Sequence, residues 1–213
     1  MTDKLSLFND ALLLVGERNL ASLTENREPR HLLDQVWDNN GVEDCLEDGQ
    51  WFFAMRAVRI DYDPAVTPDY GYRYAFDKGS DWIATSAICS DEYYRWPITR
   101  YTDENGYWYA DETEIYVKYV SNDAAYGNDL SIWPNSFKNF VAAHFASMIA
   151  LKVTGDTERT KIVLGQRQKR LDKAKNKCAM ALPTQFPARG SWVNARQRSR
   201  QQDGGNRNGP LIG

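Results

Sequence analysis

Little in this chain suits metal or redox chemistry. Of its 213 residues, 3 are cysteine and 2 are histidine. Cys45, Cys89 and Cys178 are odd in number, far apart and without a CxxC pair. They read as free thiols made in a reducing cytosol, which excludes a disulfide framework. His31 and His144 are also widely separated, which argues against a Cys/His zinc motif. No run of about 18 apolar residues exists, so no helix is expected to span a membrane. No apolar stretch follows a basic leader, so no secretory signal is expected. The phosphate-binding patterns GxxxxGK and GxGxxG are missing, as is the hydrolase pattern GxSxG. The expectation is therefore no metal, no cofactor and no enzyme activity.

What the chain does have is unevenly spread. The formal net charge of −3 conceals a split. Residues 156–213 hold 13 Lys/Arg and 4 Asp/Glu, a net of +9, whereas residues 1–155 hold 13 and 25, a net of −12. Two surfaces with different neighbours are implied, set against an ordinary acidic body with a solvated basic tail. The end of the chain sharpens the contrast. From Pro183 onward it carries Arg189, Arg196, Arg198, Arg200 and Arg207 against a single acid, Asp203. Pro183, Pro187, Pro210 and 5 glycines interrupt this stretch, yet Phe186 and Gly190-Ser191-Trp192-Val193 lie within it. A segment unable to form its own core that keeps such an anchor reads as a docking strap that folds on a partner.

Hydrophobic spacing orders the rest. Leu5, Phe8, Leu12 and Val15 recur at helical intervals, with Thr2 or Asp3 as cap and Gly16 as stop. Pro29 opens a second helix running to Gly49. Leu32 or Leu33, Val36, Asn40 and Leu46 are its expected inner side, with a kink at Gly41. Trp51-Phe52-Phe53-Ala54-Met55 is expected to enter the first strand through Val58 and Ile60. Residues 61–133 then hold 17 of the 27 aromatic residues, broken by repeated turn signals. Strands are predicted over 72–76, Trp82–Cys89, 94–99, Tyr107–Ala110 and 114–120. Asn105-Gly106 is the best hairpin signal, expected to join 98–101 to Tyr107–Ala110. Helix resumes at Pro134, with Ser131 as candidate cap. Phe137, Phe140, Val141, His144, Phe145, Met148 and Leu151 or Lys152 lead to a stop at Gly155. A last helix, capped by Asp156 or Thr157, has a seam of Leu164, Gln168, Leu171, Lys175, Cys178 and Leu182. Lys161, Arg167, Lys169, Arg170, Lys173 and Lys177 cover its other faces until Pro183 ends it.

The predicted class is α+β: an antiparallel helical bundle from the two ends of the chain, with an inserted small, aromatic-rich antiparallel sheet and an extended C-terminal arm. The boundaries are residues 1–55 and 131–182 for the two parts of the bundle, 56–130 for the β insertion and 183–213 for the arm.

Candidate chemistry is thin. Glu43, Glu47 and Asp48 could serve as a carboxylate pair of a cell-wall hydrolase. On an amphipathic helix, however, such a run usually forms a solvated face, and a catalytic acid needs burial to raise its pKa. His144, on an apolar face, reads as a core or interface histidine rather than a ligand. The aromatic sheet could stack single-stranded nucleic acid, but the acids that crowd residues 61–133 would repel phosphate. The basic last helix and tail leave a DNA- or RNA-binding module as the alternative.

Several stretches, in order, resemble the head-to-tail adaptor proteins of tailed bacteriophages, which include the tail tubular protein A of short-tailed phages and related head-completion proteins of long-tailed ones. They are Leu14-Val15-Gly16-Glu17 followed by Leu23; Gly49-Gln50-Trp51-Phe52-Phe53-Ala54; Gly71-Tyr72-Arg73-Tyr74-Ala75-Phe76 with Ser80-Asp81-Trp82-Ile83; Tyr116-Val117-Lys118-Tyr119-Val120 with Trp133-Pro134 and Phe137 to Gly155-Asp156; and Gly190-Ser191-Trp192-Val193-Asn194-Ala195-Arg196. Together they cover nearly the whole chain. Gln50 departs from the pattern, where a Pro or another apolar residue often precedes the Trp, and Ile83 and Ser90 stand where a more regular strand is usual. The resemblance implies a non-enzymatic virion protein at the head–tail interface, made in the host cytoplasm. It implies a ring, usually of twelve copies, below the portal protein. Phe186, Arg189, Trp192, Val193, Arg196, Arg198 and Arg200 would belong to an arm docked on the portal. The next tail component, a nozzle or tail-completion protein, would bind the other end. Genomic DNA would pass through the channel without sequence-specific binding, and an acidic wall would give it nothing to adhere to.

Overall fold

The computed structural model describes residues 3–69 and 71–181. The arm residues and the candidate cap Thr2 lie outside the described residues. The fold is α+β, with five α-helices and two three-stranded antiparallel sheets among the described residues.

Helix α1 spans Lys4–Val15. Asp3 caps it, its carboxylate accepting from the Ser6 N–H at 2.7 Å, and Gly16 closes it at φ 84°. The second predicted helix is two helices, α2 (Glu28–Asp38) and α3 (Gly41–Glu47), rather than one kinked rod. The break comes at Asn40, which adopts the left-handed conformation (φ 63°) and is exposed rather than inward-facing. Asn tolerates this region better than most side chains. Gly41 then lets the chain double back: a Cβ there would lie 2.6 Å from the Val36 carbonyl oxygen and 3.1 Å from the Phe145 ring.

Trp51 does not enter a strand. Phe52–Ala54 forms a 3₁₀ turn, closed by the Ala54 N–H donating to the Trp51 carbonyl at 3.0 Å. Its indole N–H donates to the carbonyls of Cys45 and Leu46 at 3.0 and 3.2 Å, so the ring turns back under α3. Strand β1 (Met55–Asp61) starts immediately after.

One sheet has the order β1-β6-β3, where β3 is Trp82–Cys89 and β6 is Glu114–Ser121; the other has β2-β5-β4, with β2 Tyr74–Asp77, β4 Thr102–Glu104 and β5 Tyr107–Ala110. Strand β6 alternates as its pattern requires, with Ile115, Val117 and Tyr119 buried. These side chains meet Phe76, Ile88, Trp108 and Ala110 in a core of their own. Phe76, Trp108 and Tyr119 are the aromatic residues of this region buried in that core.

Two strand expectations fail for local reasons. The first arm of the hairpin is Thr102–Glu104, not 98–101. A two-residue turn with φ 49° at Asn105 and 81° at Gly106 makes Glu104 and Tyr107 the closing pair. Residues 94–99 form no strand beyond a single bridge between Cys89 and Pro97. The Asp91 carboxylate takes the N–H groups of Arg95 and Trp96, each at 2.9 Å, and these are the donors a ladder would need.

Helix α4 (Asn135–Thr154) is the central core element, packed against α1, α2, α3 and α5. Phe137, Phe140, Val141 and Phe145 are buried as predicted, whereas Met148 and Leu151 face outward and Ile149 and Ala150 inward. Ser131 is not its cap: the residue before the helix is Pro134, and the Ser131 side chain donates to Asp129 instead. Gly155 ends α4 in the left-handed conformation, at φ 63°. Helix α5 (Thr157–Ala181) buries Val163, Leu171, Ala174 and Cys178. Leu171 and Cys178 are buried as predicted, but Leu164, Gln168 and Lys175 are exposed, and Val163 and Ala174 are buried in place of Leu164 and Lys175. Leu182 and the break at Pro183 lie outside the described residues.

Candidate docking surface

Three aromatic residues in a row cannot all face one core. Trp51 and Phe53 point inward and meet Phe137 at steep interplanar angles of 60° and 59°, each with ring centroids 4.8 Å apart. Trp133 meets Phe137 from another side at 5.0 Å, and its indole N–H donates to the Gly127 carbonyl at 2.8 Å. Phe52 is left 43% exposed beside the seam of α5.

Cys178 fastens this corner to α5. Its thiol donates to the Gln50 carbonyl and its sulfur accepts from the Phe52 N–H, both at 3.3 Å. The thiol is spent on backbone groups and is a structural clamp.

Between the corner, the start of α4 and the last turns of α5 runs a groove of about 400 Å³. Trp51, Phe53, Phe137 and Ala174 line it from beneath and are themselves buried, and Phe52 is its exposed aromatic side chain. Lys173 and Lys177, one turn apart, stand exposed at its rim. The groove extends to Ala181. An apolar lining with a cationic edge suits an aromatic or aliphatic anchor next to a carboxylate. The sequence signal for it was the exposed member of the Trp-Phe-Phe run. The partnership with Lys173 and Lys177, more than a hundred residues away, is set only by how α5 packs on α4.

The charged interior around His144 is a second candidate. His144 is buried, as expected. The Arg167 Nε–H donates to its Nδ1 at 3.0 Å, which places the ring proton on Nε2. Nε2 faces an Asp44 carboxylate oxygen at 3.6 Å and has no hydrogen-bond partner among the described residues. Burial, reinforced by the Arg167 charge, lowers the His144 pKa against a smaller pull from Asp44 and Asp48. Arg167, predicted to lie on the solvent face, is half-buried here and also donates to Asp48 at 2.8 Å. The carboxylates weighed for hydrolysis are dispersed. Asp48 pairs with Arg167, Glu43 accepts from the Asn122 amide at 2.7 Å, and Glu47 is exposed.

In the sheet, the Asp81 carboxylate accepts from Arg56 (2.8 Å), from Tyr119 (3.1 and 3.2 Å) and from Ser121. Burial pushes its pKa up, but the bonds from Ser121, Arg56 and Tyr119 prevail and hold it below the usual carboxylate range. Burial, with the Asp81 charge, pushes Tyr119 up to about 12. This node joins β1, the start of β3 and the end of β6. No group of three or more His, Cys, Asp or Glu among the described residues is arranged to hold a metal ion. No helix among them is long and apolar enough to cross a membrane.

All seven sequence-predicted docking residues, Phe186, Arg189, Trp192, Val193, Arg196, Arg198 and Arg200, lie outside the described residues. The described body adds two surfaces that sequence reasoning missed: the groove, and an exposed aromatic loop at 90–97. No known protein family matches the chain, and no curated protein matches it.

Proposed function

We propose that the chain is a structural head-to-tail adaptor of a tailed-bacteriophage virion. It assembles as a ring below the portal, grips the portal through the arm at 183–213 and offers its other end to the next tail component. The observation that carries this reading is the ordered set of stretches that resemble those of such adaptors, ending in the basic arm that holds Trp192. The described body is compatible with it. Its distinctive residues, the Trp-Phe-Phe corner and the Trp133-Pro134 turn, meet at one apolar surface rather than around a reactive group. Its charged clusters are occupied in pairs that hold helices and strands together. A ring made by repeating one contact is heterologous and must close.

The test is removal of residues 184–213, followed by co-sedimentation and electron microscopy with purified portal rings of the same virus. The truncated chain is expected to keep its circular dichroism spectrum and lose attachment. Attachment at the level of the full chain overturns the reading. A second reading, electrostatic binding of DNA or RNA, draws on the exposed lysines at 161, 169, 173, 175 and 177 of α5. It predicts affinity for free duplex that falls steeply between low and moderate salt. Docking of an aromatic anchor in the portal is much less sensitive to salt.

A further inference from the structure

The loop between β3 and β4 presents two large aromatic side chains to solvent: Tyr93 is 67% exposed and Trp96 68%. Exposed rings on a slack loop would mean little, but this loop is held. The Ser90 N–H donates to the Trp96 carbonyl at 3.1 Å, and the Ile98 N–H to the Ile88 carbonyl at 2.8 Å. Asp91 caps the turn through the Arg95 and Trp96 N–H groups. Tyr94 sits at φ 54°, an uncommon conformation for a bulky residue, with its hydroxyl donating to the Val117 carbonyl at 3.2 Å. The Arg95 guanidinium lies over the Tyr93 ring, 4.9 Å from its centroid, and pairs with Asp91 at 3.3 Å. Once that pair is formed, Glu92, which is exposed, carries the loop's unbalanced charge. The result is a pre-organised knob, aromatic with an acidic shoulder. Such a group loses little conformational freedom on binding.

The groove has the complementary character: an apolar lining in which the Phe52 ring is exposed over the buried Trp51, Phe53 and Phe137, and a rim of Lys173 and Lys177. Within one chain the two surfaces do not meet. The loop leaves the end of β3 where Cys89 pairs with Tyr116, while the corner feeds into β1 where Met55 pairs with Val120. Those two positions on β6 are about 13 Å apart at ~3.3 Å per residue. The backbone bonds of the loop hold the knob at its own end.

We propose that the knob of one copy, led by Trp96, enters the groove of a second copy of this chain, with Glu92 facing Lys173 and Lys177. Because two different surfaces meet, the contact is heterologous and propagates from copy to copy until a ring or filament results. As the contact of a closed ring it rests on the adaptor reading; head-to-tail association itself stands on the two surfaces alone. One aromatic knob in one groove is a small interface, so the binary contact is weak and forms at high protein concentration.

The test uses the full chain carrying Tyr93→Cys and Lys177→Cys together, oxidised at high concentration, with the native chain and its three buried cysteines as the blank. The double variant is expected to give a ladder of dimers, trimers and higher species, and each single variant no ladder. In sedimentation velocity, Trp96→Ala is expected to weaken association by roughly thirtyfold or more, the effect of a central aromatic anchor. Lys177→Glu weakens it and Glu92→Lys added to Lys177→Glu recovers it. No ladder from a chain with native circular dichroism overturns the contact, as does association untouched by Trp96→Ala. Portal co-sedimentation separates the two ideas. A ladder without portal attachment leaves the contact standing and removes the adaptor reading; attachment without a ladder does the reverse.

Discussion

Asp81 is the residue whose loss is most readily worked through. Its carboxylate receives two hydroxyls that are almost wholly buried, Ser121 at 0% exposure and Tyr119 at 2%. In Asp81→Ala both donors lose their acceptor, and a buried polar group left unpaired costs about 1–3 kcal/mol. The site lies near the surface, so water entering it holds each cost near the lower end. The pair with Arg56, whose side chain is 34% exposed, adds under about 1 kcal/mol because solvent screens it. The carboxylate's own desolvation is relieved and offsets part of this. A net loss of about 2–3 kcal/mol is expected, and about half as much for Asp81→Asn, which keeps one acceptor oxygen. With an urea m-value of ~2 kcal/mol per molar, the alanine midpoint moves down by about 1–1.5 M at unchanged slope. Tryptophan fluorescence during urea titration measures it directly. The pH dependence has a definite sign. The folded pKa of Asp81 lies below its ordinary value, so its contribution is present above that value and is lost as pH falls through the folded one. Both variants should therefore show a flatter acid limb than the native chain. A loss below about 0.5 kcal/mol in Asp81→Ala, within the range of ordinary surface substitutions, would refute the claim that this carboxylate carries the two hydroxyls.

Other expectations follow from the same geometry. His144 has its pKa lowered, so the unfolded chain binds more protons below about pH 6.5; stability should fall as pH drops from there, and His144→Gln should flatten that window in thermal scans. Gly41 opens α3, so Gly41→Ala gains less than the ~1 kcal/mol that helix propensity gives in a helix interior. It also forces a Cβ within 2.6 Å of the Val36 carbonyl oxygen and 2.8 Å of Val36 Cγ1, so chemical unfolding should report a net loss. A loss of about 1–3 kcal/mol is expected, and a gain would mean the α2–α3 corner is slack. In the arm, Trp192→Ala should weaken portal attachment more than Arg207→Ala in a co-sedimentation titration, since a buried aromatic anchor outweighs a rim charge. Equal effects would favour electrostatic tethering.

The sequence by itself determined where regular structure begins and ends wherever the signal is local. Asp3 and Gly16 bound α1, Asn105-Gly106 makes the turn of the β4–β5 hairpin, Gly155 closes α4, and the alternation of Ile115, Val117 and Tyr119 sets the buried face of β6. Each of these depends on backbone preferences or on a side-chain period within a few residues. It also determined the charge split and the lack of any zinc or nucleotide motif. Tertiary structure decided what a side chain does when several partners compete for it. Asp91 diverts the donors that residues 94–99 needed for a strand, and Asn40 breaks a pattern that reads as one helix. Arg167 leaves a nominally solvated face to pair with Asp48 and His144, and Met148 faces outward on a helix apolar on nearly every side. The groove belongs to this second kind. Its lining comes from residues 51–53 and 137, and its rim from residues 173 and 177. Only the packing of α5 along α4 brings them together, because contacts over such separations depend on how buried area is shared among helices, and no local period encodes that.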